Sequence, residues 1–508
     1  MGAGPGDVGL ITVRGLELLR RADVVVYDAL VNPALLSHAQ RGAELIDVGK
    51  RAAAHRVPQD QINDMLVLKA REGKLVVRLK GGDPYLFGRG AEELTHLGRQ
   101  GVLCEVVPGV TAGIAAAATA GIPVTHRSHA STVCFITGHE DPTKADSSVD
   151  YGALAGVLGA GGTLVFYMGA ARIGLIAATL AKHGSGADVP VAAVQSGTLP
   201  AQRTVRGTLA TAEAQVQAAG IGAPAIIVVG AVAALNEPGL DWFTRRPLFG
   251  RRVLVTRTRQ QASALTQRLE ALGADVLEAP TIEVERPDDF AAVDQAIQRV
   301  HDFDWLVLTS VNGVAALAER FDALKLDARH LAGVQVAVIG GTTADACRQT
   351  LGVRPDLVPV RFVAEALGRH MTERGVSGKK VLMLRADIAR PVLATILTDG
   401  GASVTDMPIY NTVTAKALPP RALESLEAGR VDWVTFTSSS AAKNMVELLG
   451  TNRALLAKAR LASIGPITTQ TMKELGLKAD AEAIRSDIEG IVVAIVEAEG
   501  ARLDSHGP

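Results

Sequence analysis

The stretch "VVRLKGGDPYLFGRG" (76–90) ends an apolar run in Gly81, Gly82 and Asp83, with Leu86 and Arg89 close behind. Paired glycines at a strand end let the backbone approach a ligand closely. A second glycine-rich turn, "GAGPGD" (2–7), opens the chain. A dinucleotide cradle needs G-x-G-x-x-G, and the sixth position here is Asp7. Pro5 also removes a backbone donor from the turn. Asp28 ends "VVVYD", where it could simply cap the next helix. Lys50 and Arg51 end "VGKR", and either a solvated pair or a grip on an anion fits that placement. Small residues surround Thr111 and Ala112, and His126 and Arg127 close "GIPVTHR". Further on, Thr309, Ser310 and Asn312 in "TSVNG" and Ser438, Ser439 and Ser440 in "FTSSSA" fall where helices begin. The free N–H groups of a helix start suit an anion, although such serines also serve as plain caps.

These residues must be positioned by a large soluble protein. The chain has 508 residues, enough for three or four domains. Hydrophobic residues make up 48% and charged residues 21%, an ordinary globular balance. The net charge of −1 gives no general field toward nucleic acid or a membrane, so an anionic substrate needs a local basic cluster. Three scattered cysteines, Cys104, Cys134 and Cys347, exclude a disulfide framework and a dense thiolate metal site. The early charged stretch "GLELLRRADVV" does not read as a signal peptide, and "APAIIVVGAVAAL" (223–235) is too short to span a bilayer. A cytoplasmic protein is expected, with no metal and no nucleic-acid or membrane partner.

Short β-branched runs alternate with longer amphipathic stretches, the pattern of parallel α/β units whose ligands bind at the carboxyl ends of strands. A Pro- and Gly-bearing segment predicts a linker over 238–249. Beyond it the sequence repeats at an offset of 128: "RRVLVTR" meets "KKVLMLR", and "DWLVLTS" meets "DWVTFTS". Pro280 falls over Pro408 and Ile282 over Tyr410. Two similar α/β halves follow.

The segments "GAGPGD", "VVYD", "RLKGGDPYLFGRG", "VPGVTA", "GIPVTHR" and "FYMG" together resemble uroporphyrinogen-III C-methyltransferase, of the tetrapyrrole methylase family, over about residues 2–237. The resemblance implies two α/β subdomains, 1–125 and 126–237, with S-adenosylmethionine between them. It implies that Pro5, Gly81, Gly82, Asp83, Leu86, Thr111, Ala112, Met168 and Gly197 line the cofactor site, with backbone contacts from Ala225 and Ile226. It assigns proton acceptance to Asp28 and proton donation to Lys50. Arg51, Arg89, His126 and Arg127 are then candidates to hold the carboxylates of the macrocycle. Family members carry an apolar strand before "GAGPGD". This chain offers no residues for it, so that loop is expected to be held less firmly than Gly81–Asp83. A homodimer through this half is the family's common form.

Residues 250–500 resemble uroporphyrinogen-III synthase through "VLVTR", "TSVNG", "LMLRADIAR", "PIYNT" and "FTSSSA". That family has two α/β lobes on a two-stranded connector, implying lobe one at about 250–283 and 413–500 and lobe two at about 286–408. It implies a cofactor-free ring closure of hydroxymethylbilane. Tyr410 matches a tyrosine proposed to help the hydroxyl leave; Thr309, Ser310, Asn312, Ser438 and Ser439 would grip carboxylates. Arg257 and Arg385 could also face that cleft. The expected whole is a bifunctional enzyme that makes uroporphyrinogen III and methylates it twice to precorrin-2, toward sirohaem or cobalamin. The alternative is a methyltransferase fused to a non-catalytic binding module.

Overall fold

The computed structural model describes residues 1–40, 42–49, 57–139, 148–257, 259–360 and 363–505, with side chains left aside at 258–263 and 501–505. The chain divides into two compact units, one of residues 1–251 with 272–275 and the other of residues 252–271 and 276–508.

The first unit holds two sheets. Strands β1 (Val24–Tyr27), β2 (Glu44–Asp47) and β3 (Val76–Leu79) are parallel, in the order β2-β1-β3. β1 is apolar and buried on both faces, as a central parallel strand must be. Residues 1–4 lie extended beside the end of β3: Ala3 N donates to Lys80 O at 2.7 Å, and Gly82 N to Gly4 O at 2.7 Å. Gly2 N donates to Val107 O at 3.0 Å on the other side. The opening turn is therefore anchored by backbone pairing on two flanks, more firmly than the sequence suggested.

The second sheet contains β4 (Val133–Thr137), β5 (Thr163–Tyr167), β6 (Pro190–Gln195), β7 (Arg203–Thr208) and β8 (Ala225–Val229), in the order β4-β5-β8-β6-β7. Only β4 and β5 pair in parallel; the other neighbours are antiparallel. The alternating pattern suggested parallel units here. Residues 196–202 are too short a link for a parallel crossover, so β6 and β7 form a hairpin. The small-residue helix Ala112–Thr119 belongs to this sheet's core: Ala116, Ala117 and Ile122 pack with Val165, Val194 and Val228. That core therefore begins near residue 112, ahead of the 125/126 division read from the sequence.

The segment expected to be a linker is folded into this unit. Phe243 is 1% exposed and Leu248 0%. The Arg246 guanidinium lies 3.9 Å from the Phe243 ring centroid, and Phe249 meets the same ring at 5.5 Å. Two buried apolar side chains outweigh the breaker residues that marked the stretch as loose.

The second unit holds two five-stranded sheets. One has the order β10-β9-β16-β17-β18, from β9 (Arg252–Val255), β10 (Asp275–Glu278), β16 (Trp433–Phe436), β17 (Arg460–Ser463) and β18 (Ala481–Glu482). The other has the order β11-β15-β14-β12-β13, from β11 (Ile282–Glu285), β12 (Trp305–Leu308), β13 (Gln335–Val338), β14 (Lys380–Ala386) and β15 (Ser403–Thr414). The offset of 128 places β9 on β14, β10 on the start of β15 and β12 on β16. β13 falls on β17 at the shorter offset of 125. Equivalent strands occupy equivalent places in the two sheets.

β11 and β15 pair antiparallel, Ile282 against Thr414 through Glu285 against Asn411. Moving each partner by 128 residues maps this ladder onto itself, with Val284 opposite its own equivalent, Thr412. The connector thus carries a pseudo-twofold, and each lobe takes its strands from both sides of it.

Replacing Phe243 with Ala is expected to cost about 3–5 kcal/mol in denaturant unfolding of the first unit. A residue in a free linker would change stability by less than about 0.5 kcal/mol.

Candidate functional site

Three backbone segments of the first unit converge at the end of β3. A Cβ on Gly109 would lie 2.3 Å from the Gly82 carbonyl oxygen, so no larger residue fits where segments 107–111 and 81–83 meet. Gly82 has φ +69°, and a Cβ there would meet nothing nearer than Ala112 N at 4.0 Å. Its neighbours are packed tightly, while a Cβ on Gly82 itself would meet open space. Asp83 ties the segments together. Its Oδ2 accepts from Gly109 N at 3.0 Å, and its Oδ1 from Tyr85 N at 2.8 Å and Leu86 N at 3.2 Å.

The far wall comes from the second sheet. The Tyr167 hydroxyl lies 2.6 Å from Thr111 Oγ1 and accepts from Gly113 N at 2.7 Å, fixing the start of the helix Ala112–Thr119. Burial raises the pKa of this phenol and keeps it neutral. Its ring also meets Phe87 at 5.0 Å. Met168 follows at φ +58° and is 51% exposed. Six non-glycine residues have positive φ among the described residues, and five of them (Phe87, Arg89, Met168, Ser196 and Thr198) sit on these loops. Such strain persists where a site demands a particular backbone.

A charged network lies beneath. Glu93 and Lys80 are 4% and 5% exposed. Glu93 Oε1 accepts from Lys80 Nζ at 2.8 Å, Gln59 Nε2 at 2.9 Å and Arg78 Nε at 3.3 Å. Burial opposes the Glu93 charge, but Arg78 and Lys80 outweigh it and hold the carboxyl below its usual range. Arg78 also reaches toward Asp28, Nη2 to Oδ2 at 4.0 Å. Asp28 accepts from Leu30 N at 3.1 Å, so it caps the turn and keeps one oxygen toward Arg78.

The other expected residues are placed as follows. Pro5 lies in the anchored opening turn. Asp7 caps Val8–Leu10 through Gly9 N and donates its own N–H to Thr198 Oγ1 at 3.0 Å. Gly197 abuts Ala116, where a Cβ would come within 2.1 Å, so it makes room for the helix. Ala225 and Ile226 begin β8 opposite Gln195 and Val194. Arg89 is paired with Glu92 at 2.6 Å. His126 and Arg127 are exposed on a turn, where His126 Nδ1 accepts from Ser128 N. Lys50 and Arg51 lie outside the described residues.

In the second unit, Tyr410 is 6% exposed and its hydroxyl lies 2.9 Å from Ser310 Oγ. Burial raises its pKa, and the Ser310 bond opposes that shift. Between Arg385 and Ala386 the register on β15 slips past Ile409, which brings Tyr410 opposite Ala386. Ser310 and Ser438 both cap helices, through Gly313 N at 3.0 Å and Ala441 N at 3.1 Å. Thr309 is half-buried beside Ser310. Ser439 accepts from Thr471 Oγ1 at 2.8 Å and so joins two helices. Arg385 is occupied internally by Asp406, at 2.6 and 2.8 Å, and by the carbonyls of Ala386 and Ala389.

Comparison with known proteins agrees with both halves. The model of the tetrapyrrole (corrin/porphyrin) methylases matches residues 1–213, and that of uroporphyrinogen-III synthase HemD matches residues 263–493. A porphyrin biosynthesis protein HemD of Ruminiclostridium josui is 36% identical over 503 residues, covering 99% of this chain and 98% of the relative. The chain belongs to this methylase–synthase fusion family. A uroporphyrinogen-III C-methyltransferase of Bacillus subtilis is 40% identical over 331 residues, covering 65% of this chain and 67% of the relative. A siroheme synthase of Neisseria meningitidis serogroup B is 50% identical over 244 residues, 48% of this chain and 49% of the relative.

In this methylase–synthase chain the sequence reading missed Tyr167, Arg78, Lys80 and Glu93. Tyr167 stood beside Met168 in "FYMG" and carried a visible signal. Glu93 did not, because a charged residue on a helix reads as solvated until its burial is known. Glu93→Gln leaves Lys80 and Arg78 without their shared counter-charge and is expected to cost about 3–5 kcal/mol. The depressed Glu93 pKa contributes stability that is present above the unfolded carboxylate pKa and lost as pH falls through the folded value. Urea titrations between neutral and acid pH should therefore show a smaller acid loss in Glu93→Gln than in the parent.

Proposed function

We propose that this chain cyclises hydroxymethylbilane to uroporphyrinogen III in its second half and methylates that product twice to precorrin-2 in its first. The observation that carries the reading is one chain with both elements built: an open glycine cradle at Gly82 and a duplicated α/β pair with a tyrosine at only one of two equivalent positions.

S-adenosylmethionine supplies the methyl group from its sulfonium when bound. The open face of Gly82 beside Ala112 N suits such a group. Gly82, Asp83, Thr111, Ala112 and Met168 would hold it, and the Asp83 bonds keep the cradle from relaxing. The chain's role is chiefly to orient donor and acceptor carbon, an effect worth up to about 7–11 kcal/mol in ideal cases. Asp28, kept close to Arg78, accepts the proton that the macrocycle gives up as the methylated ring rearranges. Arg89, His126 and Arg127 receive the rim carboxylates, with Lys50 and Arg51 assigned by the resemblance alone.

In the second half Tyr410 remains a neutral phenol and donates to the departing hydroxyl, which leaves as water. Ser310 holds the phenol, and the exposed helix starts, with Asn312, receive carboxylates. The methylase half forms a homodimer, the site of action is the cytoplasm, and no nucleic acid takes part.

The test supplies hydroxymethylbilane and S-adenosylmethionine together and reads products by mass spectrometry. A cyclised product with two added methyl groups is expected; cyclisation alone would contradict the first half, and methylation of supplied uroporphyrinogen III alone the second. Tyr410→Phe should slow cyclisation by about 10²-fold or more, the lower range for a lost general acid, and leave methylation unchanged.

A further inference from the structure

The duplication supplies an internal control for one charged residue. Arg385 follows the buried part of β14, and its guanidinium is held bidentate by Asp406. The equivalent positions in lobe one, at the same offset of 128, are Arg257 and Glu278. The acid is present, yet it does not pair: Glu278 Oε1 instead accepts from Thr266 Oγ1 at 3.4 Å. Arg257 is partly buried, no described carboxylate neutralises it, and desolvation pushes its pKa down. A desolvated cation with no counter-ion is costly, and proteins retain one where a ligand completes it.

Its place in the sheet matches that use. The order β10-β9-β16-β17 reverses direction between β9 and β16. Ligands of parallel sheets bind outside the carboxyl ends at such a reversal. Arg257 stands two residues beyond Val255, the end of β9, and Ser438 two residues beyond Phe436, the end of β16. In lobe two the corresponding place lies between β14 and β12, with Arg385 already neutralised there.

We propose that Arg257 is a carboxylate-binding residue of the cyclase half, left without a carboxylate partner among the described residues so that an acetate or propionate of the linear tetrapyrrole completes it. This inference rests on the cyclase reading above and names a residue that sets its substrate affinity. It makes the two lobes unequal: lobe one contributes a free cation, lobe two a phenol.

The test uses the full chain with Arg257→Gln, Arg257→Lys and Arg385→Gln. Arg257→Gln should raise the KM for hydroxymethylbilane about tenfold or more, the loss of one charge-assisted bond, and Arg257→Lys should recover part of it. Methylation of supplied uroporphyrinogen III should be unchanged in both. The melting temperature of Arg257→Gln should equal or exceed the parent's, because an uncompensated charge is removed, whereas Arg385→Gln should lower it. An unchanged KM, or a fall in melting temperature like that of Arg385→Gln, would overturn the proposal. Binding of a bilane with intact carboxylates and no hydroxymethyl group separates the two readings. A parent that binds this bilane but forms no uroporphyrinogen III from hydroxymethylbilane sinks cyclisation alone, and Arg257 is then judged by the change in Kd for the bilane.

Discussion

The methylase half depends on a contact with no side chain in it. Segments 107–111 and 81–83 meet so closely at Gly109 that the Gly82 carbonyl occupies the space of a Cβ. Such an approach requires glycine, and it leaves both backbones with donors and acceptors to satisfy. Asp83 takes one of those donors, Gly109 N, and two more from its own turn. The buried pair Lys80–Glu93 secures β3 just before the same glycines. The open face of Gly82 is a consequence of this packing.

The synthase half solves a different problem. Its lobes present polar groups of their own at the strand ends. Duplication provides two strand-end crevices of the same construction, each with an arginine, a hydroxyl-bearing helix start and a neighbouring acid. The copies have diverged in how those groups are spent. In lobe two Arg385 is closed off by Asp406, and the strand slips to bring Tyr410 to Ser310. In lobe one Ile282 replaces the phenol, and Glu278 turns away from Arg257.

Much of this was legible in the residues. The strand runs, the offset of 128, the two lobes exchanging strands at a connector, and the close backbone approach at Gly81–Asp83 all follow from patterns with a local physical cause. What escaped was set by tertiary context. Phe243 looked like part of a linker because Pro and Gly flank it, and only its burial shows otherwise. The hairpin of β6 and β7 was hidden because apolar alternation carries no strand direction. Glu93 and Lys80 looked solvated because charge patterning cannot report a buried pair. Ser438 and Ser310 were read as candidate ligands or helix caps; both cap helices, and Ser310 also bonds to Tyr410.

The most direct measurement is a crystal structure of the full chain with S-adenosylhomocysteine. The account expects the ligand against the main chain of Gly82 and Asp83, with Thr111, Ala112 and Met168 on its other side. A ligand bound elsewhere, with the Gly82 cradle filled by side chains or closed, would contradict it.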